Sequence, residues 1–138
     1  MSGFLLTATG QAGIRFRFYD VEAPATAAAF LAALPFEQLF LHARVSGQEI
    51  WCSEAPALPV PQENSTIHCR PGEVAIGPLQ PARNQVSGLM GIFYGEGKLV
   101  DGANIFAAVV PEDLPLLVAL GDQIWRRGGL KLRFSPLD

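Results

Sequence analysis

Charge is scarce in this sequence. Lys, Arg, Asp and Glu supply 17% of 138 residues, the net charge is −3, and no basic run occurs anywhere. Binding to a polyanion needs a positive patch or stripe, so no nucleic-acid partner is expected. Long apolar runs are missing as well. Arg, Asp, Glu, Gly or Pro breaks every hydrophobic stretch before the roughly 20 residues of a membrane-spanning helix, and no membrane partner is expected. Cysteine and histidine are limited to two each: Cys52, Cys69, His42 and His68. They match the ligand count of a zinc site but form no C-x-x-C clip, and adjacent His68 and Cys69 point apart in an extended chain, so neither a metal nor another cofactor is expected. No second motif orients a base for a Cys-His hydrolase.

The start of the chain, MSGFLLTATGQAG, lacks a positively charged leader, and its apolar patch is shorter than a signal core of about 7 to 15 residues. A cytoplasmic chain with free thiols is the resulting expectation. In that compartment Asn64-Ser65-Thr66, an N-x-[ST] match, meets no glycosylating enzyme.

Hydrophobic residues are plentiful at 49%, and 14 glycines and 11 prolines are scattered without a repeat. Such a chain folds as one domain, residues 1–138, around one core. Strands are predicted at 4–8 and 14–19, where Ile14, Phe16 and Phe18 alternate with Arg15 and Arg17. Pro24 opens a short Ala-rich helix with Ala27, Phe30, Leu31 and Leu34 at helical spacing, and Pro35 ends it. Further strands are predicted at 39–45, 48–53, 73–76, 89–94 and 104–110, the last a near-continuous apolar run suited to burial on both faces. A helix follows from Pro111 to Arg127, and a last strand at 130–134 turns Leu130, Leu132 and Phe134 inward. Residues 54–70, with three prolines, read as one long irregular segment. The order is mainly β, with two helices to plug a closed sheet.

Ser46-Gly47 reads as a two-residue hairpin turn, which sets Arg44 across from Glu49 and His42 across from Trp51 on one face. Arg44 and Glu49 could there form an exposed cross-strand ion pair, or the guanidinium could serve a ligand beside the indole platform of Trp51. Glu63 and Asn64 either stabilise their own loop or fold across that face and complete its ligand set. Tyr94 and Asn104 sit beside glycines at strand ends, where pockets open, although Asn104 also suits a turn. Phe106 reads as core.

The segments LPFEQLFLHARVSGQEIWCSE, PQENST, PGEVAIGP, IFYGEG and GANIFAAV, in that order, make the chain resemble the cyclophilin-like superfamily, and within it a bacterial domain-of-unknown-function family of small cyclophilin-like proteins. The resemblance implies a closed eight-stranded cyclophilin-like β-barrel with two capping α-helices. Leu41-His42-Ala43-Arg44 is loosely similar to the Phe-His-Arg segment of the isomerases, which would make Arg44 the residue that assists prolyl rotation. The Gln-Gly-Gly-Asp segment of those enzymes has no counterpart here.

Three functions follow. The first is binding of a small polar or anionic ligand, or a peptide, on the face carrying His42, Arg44 and Trp51, with Glu63, Asn64, Tyr94 and Asn104 as further contacts. The second is peptidyl-prolyl isomerisation through Arg44. The third is service as an interaction subunit of a bacterial amide-processing assembly, with Trp51 suited to a subunit contact and a homodimer as one form.

Overall fold

Alternation decides the first hairpin of the computed structural model, which describes residues 2–137. In β1 (Gly3–Thr7) and β2 (Ile14–Phe18), Phe4, Leu6, Ile14, Phe16 and Phe18 are buried while Arg15 and Arg17 lie outside. Phe4 pairs with Phe16 and Leu6 with Ile14. The rings of Phe4 and Phe16 stack with centroids 4.7 Å apart.

The remaining strands are β3 (Phe36–His42), β4 (Gly47–Cys52), β5 (Ser65–Cys69), β6 (Glu73–Ile76), β7 (Met90–Val109) and β8 (Leu130–Pro136). Antiparallel pairing runs in the order β2-β1-β8-β3-β4-β7, and a β2–β7 pairing closes these six into a ring. Both β5 and β6 pair with β7, so the eight strands divide into a six-stranded closed barrel and two outer strands.

Two departures from the sequence reading concern the same strand. Residues 90–109 form one long strand where two were expected, because β6 pairs with both of its halves: Val74 has partners in Ile92 and in Ala107. The segment expected to be irregular throughout contains β5, whose Ser65, Thr66, His68 and Cys69 pair with residues 97–104 of β7. Its side chains do not alternate in burial, so backbone pairing to a neighbour, invisible in composition, makes it a strand. The apolar run 104–110 is buried on both faces as expected. Phe106 and Ala107 enter the main core, and Ile105 enters a second cluster with Cys69, Ala75, Val86, Phe93 and Ala103.

Helix α1 (Pro24–Ala33) sends Phe30 into the main core, where its ring lies within 6.4 Å of those of Phe4, Phe18, Phe36, Phe106 and Phe134. Helix α2 (Leu114–Arg127) follows a 3₁₀ turn at Pro111–Asp113 and buries Leu117, Leu120 and Ile124. Basic Arg126 and Arg127 occupy its last turn, where they oppose the carbonyl end of the helix, and Gly128 at φ 93° stops it. A fork from Arg15 to Asp113, with both guanidinium bonds at 2.9 Å, ties the start of α2 to β2.

No side chain of α1 caps its own N-terminus. Glu63 does so from a distance, accepting bonds from the backbone N–H of Ala25 (3.1 Å) and Thr26 (2.8 Å) and from the Thr26 hydroxyl (2.7 Å). Burial pushes the Glu63 carboxyl up, but these donated bonds outweigh it and hold the group below the usual carboxylate range. Glu63→Ala is therefore expected to cost about 1 kcal/mol at neutral pH. A lowered carboxyl contributes fully above its unfolded pKa of about 4.3 and loses that contribution as pH falls through the folded value. Urea melts of parent and variant are expected to differ at pH 7 and to converge near pH 2.

Candidate functional site

The β3–β4 connection sets the site. Strand β3 ends at His42 and β4 begins at Gly47, leaving a four-residue loop, 43–46. Leu41 pairs with Trp51 and His42 with Ile50, one residue away from the register a Ser46-Gly47 turn would give. The cause lies on the neighbouring strand. Gly47, at φ 120°, pairs with Gly97 of β7 with a bulge between Gly47 and Glu49, and the Lys98 amide donates to Ser46 O at 2.8 Å. These contacts claim Gly47 for the strand and push the bend to 43–46.

A slip of one residue exchanges faces. Glu49 and Trp51 keep the outer wall of the barrel, but His42 now shares the face of Ile50, which is core. The expected convergence of His42, Arg44 and Trp51 is thus corrected: His42 and Trp51 lie on opposite sides of β3 and β4.

On the outer wall, the loop 43–46, β4, β6, β7 and the segment 77–89 enclose a cavity of about 270 Å³. Arg44 and Lys98 border it, Trp51 lines it, and Val86, Leu89 and Leu99 give it an apolar character. The acid of this cavity is Glu49. It was expected as the exposed partner of Arg44, yet only 6% of it is exposed and no ion pair joins the two among the described residues. Instead the Ser46 hydroxyl donates to Glu49 Oε1.

Oε2 accepts no hydrogen bond among the described residues and is not among atoms sealed from solvent, and Glu49 lines the cavity. Room for it comes from Gly91, where a Cβ would overlap Oε2. Burial pushes the Glu49 carboxyl up to about 7, only partly offset by the Ser46 hydroxyl. Sequence reasoning placed this group in an exposed ion pair because Glu on a hairpin reads as solvated; the glycine inside β7 was the available signal of its burial.

His42 lies under α2. Its Nε2 is 2.7 Å from the Tyr94 hydroxyl and its Nδ1 is 2.6 Å from Ala43 O. A carbonyl only accepts, so Nδ1 carries a proton, and in the neutral ring Nε2 then accepts from Tyr94. The Trp125 ring sits 4.8 Å from that of His42, and the Tyr94 ring fills the space a side chain at Gly121 would need. This cluster borders a second hollow, and Arg44 lines both.

Glu63, Asn64 and Asn104 do not reach Arg44 or Trp51. Asn104 is fully buried rather than at a turn: Oδ1 accepts from the Glu63 amide (3.0 Å), and Nδ2 donates to Pro61 O (2.9 Å) and to the Thr26 hydroxyl (3.1 Å). Asn64, at φ 50°, donates to Ile105 O at 2.8 Å and borders a separate polar groove along β5. The three residues lock the loop before β5 to α1 and β7. Loop stabilisation, one of the two roles weighed for Glu63 and Asn64, matches these bonds.

Comparisons follow from this geometry. McbB in complex with tryptophan superposes with a TM-score of 0.71 at 17% identity, over 96% of this chain and 44% of that one, so this chain spans less than half the length of McbB. The hypothetical protein AF2241 from Archaeoglobus fulgidus gives 0.63 at 16% identity, over 99% and 95%. A cyclophilin-type peptidyl-prolyl cis-trans isomerase of Cryptosporidium parvum, solved in the presence of the dipeptide Ala-Pro, gives 0.50 at 14% identity, over 84% of each chain. No curated protein matches the sequence. At these identities the likeness is one of fold. A family described as "protein of unknown function (DUF3830)" matches residues 7–136, and the chain accordingly belongs to the DUF3830 family, built on a cyclophilin-like barrel.

Proposed function

We propose that the chain binds a small ligand in the outer-wall cavity: a largely apolar molecule whose hydrogen-bonding nitrogen meets Glu49 Oε2 and whose carbonyl or carboxylate end lies toward Arg44 and Lys98. One observation carries the reading. Glu49 is buried and lines an apolar cavity, yet one of its oxygens has no hydrogen-bond partner among the described residues. Desolvating a carboxyl without satisfying it costs stability, so folding alone does not favour the arrangement.

An amide suits the site in both protonation states of Glu49, because it offers a donor and an acceptor together. Short peptides and amino-acid amides share that chemistry, and the Trp51 indole gives their apolar part a flat surface. Of the face first expected to bind ligand, Arg44 and Trp51 remain and Glu49 takes the place of His42.

Phenylalaninamide is expected to raise the melting temperature of the parent and to leave Glu49→Gln unmoved. At about 100 times Kd the stabilisation is about 2.7 kcal/mol. Equal shifts in both proteins would remove Glu49 from the site.

Without ligand the same variant reports the burial of the carboxyl. A carboxyl raised above its unfolded value stabilises the fold fully below about pH 4.3 and loses that contribution as pH rises through about 7. Glu49→Gln stays neutral. Its stability is expected to match the parent near pH 4 and to exceed it near pH 9 by on the order of 3 kcal/mol, measured by denaturant melts.

Prolyl isomerisation is the second reading, favoured by the place of Arg44 on the rim of the same apolar cavity. A guanidinium there could donate to a prolyl nitrogen as the amide loses resonance against its barrier of about 18 to 20 kcal/mol. A protease-coupled proline-peptide assay separates the readings: binding alone predicts the uncatalysed rate in parent and Arg44→Ala alike, and isomerisation predicts an acceleration that the variant lacks.

A further inference from the structure

A carboxylate held in an apolar cavity, with one oxygen fixed and the other free, has the arrangement of a general base rather than of a simple anchor. Resting on the binding reading above, we propose that the cavity is a proton-transfer site, in which Glu49 Oε2 removes a proton from carbon in a small carbonyl compound. Three observations support this. Ser46 holds Oε1, so the carboxyl plane is set before a substrate arrives. The surrounding side chains, Val86, Leu89 and Leu99, give the cavity an apolar lining, which leaves an ionised carboxylate less hydrated than in bulk water and so a stronger base. Arg44 and Lys98 border the same cavity and supply positive charge where an oxyanion develops.

The step balances without any further reactant. Ionised Glu49 takes the proton from the carbon beside the carbonyl. The pair of electrons left on that carbon becomes the second bond of an enolate, and the carbonyl oxygen takes the negative charge toward Arg44 or Lys98. Neutral Glu49, after trading its proton with solvent, returns one to the same face of that carbon, giving hydrogen exchange with retention, or to a conjugated carbon on that face, giving the isomer. A carboxyl pushed up to about 7 by burial is populated in both forms near neutrality, as a group that takes and returns one proton must be. The charged side chains on the cavity wall are Arg44 and Lys98; behind it, Cys69 of β5 is buried near enough to respond to the charge of Glu49.

The probe is 5-nitrobenzisoxazole, which reports a desolvated base without knowledge of the natural substrate. Loss of its C3 proton forms the third C–N bond and breaks the N–O bond, releasing a coloured nitrophenolate. The parent is expected to turn it over with saturation, at a rate that rises with an inflection near pH 7. Glu49→Gln is expected to lose about 100-fold or more, the usual worth of a positioned base. Glu49→Asp, which keeps the carboxyl but shortens its reach, is expected to fall between them, and Arg44→Ala and Lys98→Ala to lose several-fold each. Unchanged circular dichroism certifies the fold of each variant. A parent rate no greater than that of acetate at equal concentration overturns the proposal, as does a rate that survives Glu49→Gln or rises only above pH 9, where an amine is the base. Glu49-dependent binding of phenylalaninamide without turnover would leave the binding reading standing and remove the base; absence of both would remove the two together.

Discussion

Gly91 carries no side chain, and that vacancy is what the Glu49 carboxyl occupies. The two residues sit on adjacent strands of the barrel wall, and any Cβ at 91 would displace the acid. From this contact follow the burial of the carboxyl, its raised proton affinity, the tie to Ser46 and the open oxygen on the cavity side. A carboxylate in that position is a cost to the fold, and the cost falls on one well-paired strand rather than on a mobile loop.

The loop 43–46 converts the position of one strand into the shape of the cavity. Its ends are fixed by backbone bonds, from Ala43 N to Glu49 O at 2.9 Å and from Lys98 N to Ser46 O at 2.8 Å. Between them Arg44 lies where the outer cavity and the hollow beneath α2 meet. The His42 ring ties to Ala43 O and to Tyr94, so the loop is also attached to the helix side of the barrel. The two hollows share a wall, and the backbone of that wall is hydrogen-bonded on both flanks.

The barrel was legible in the letters to the extent that its residues alternate. Phe4 to Phe18 and Leu130 to Phe134 declare their inward faces, and the helices declare themselves by Pro24, Pro111 and the spacing of Leu117, Gly121 and Ile124. What could not be read depends on partners distant in sequence. β5 is a strand because β7 lies beside it, and Gly47 is withheld from the turn because Gly97 pairs with it. The site was legible in part: Arg44 and Trp51 do line the cavity, whereas the error of one residue in the bend moved His42 away, and the burial of Glu49 over Gly91 depends on a strand distant in sequence. Asn104 and Glu63 drew notice for their chemistry, and that chemistry is engaged in the fold: Glu63 caps α1, and Asn104 holds the loop that carries Glu63.

β7 has two duties. Its 20 residues pair with β2, β4, β5 and β6, and its stretch around Lys98, Leu99, Val100 and Ala103 also forms part of the cavity wall. Change along this strand would disturb the barrel together with the cavity, so divergence between relatives has little freedom there. In the loop 43–46 and the segment 77–89 such ties run largely through the backbone, which leaves side chains such as those of Val45 and Leu89 freer to change. They are the natural places for selection to retune what the cavity accepts while the scaffold stays constant.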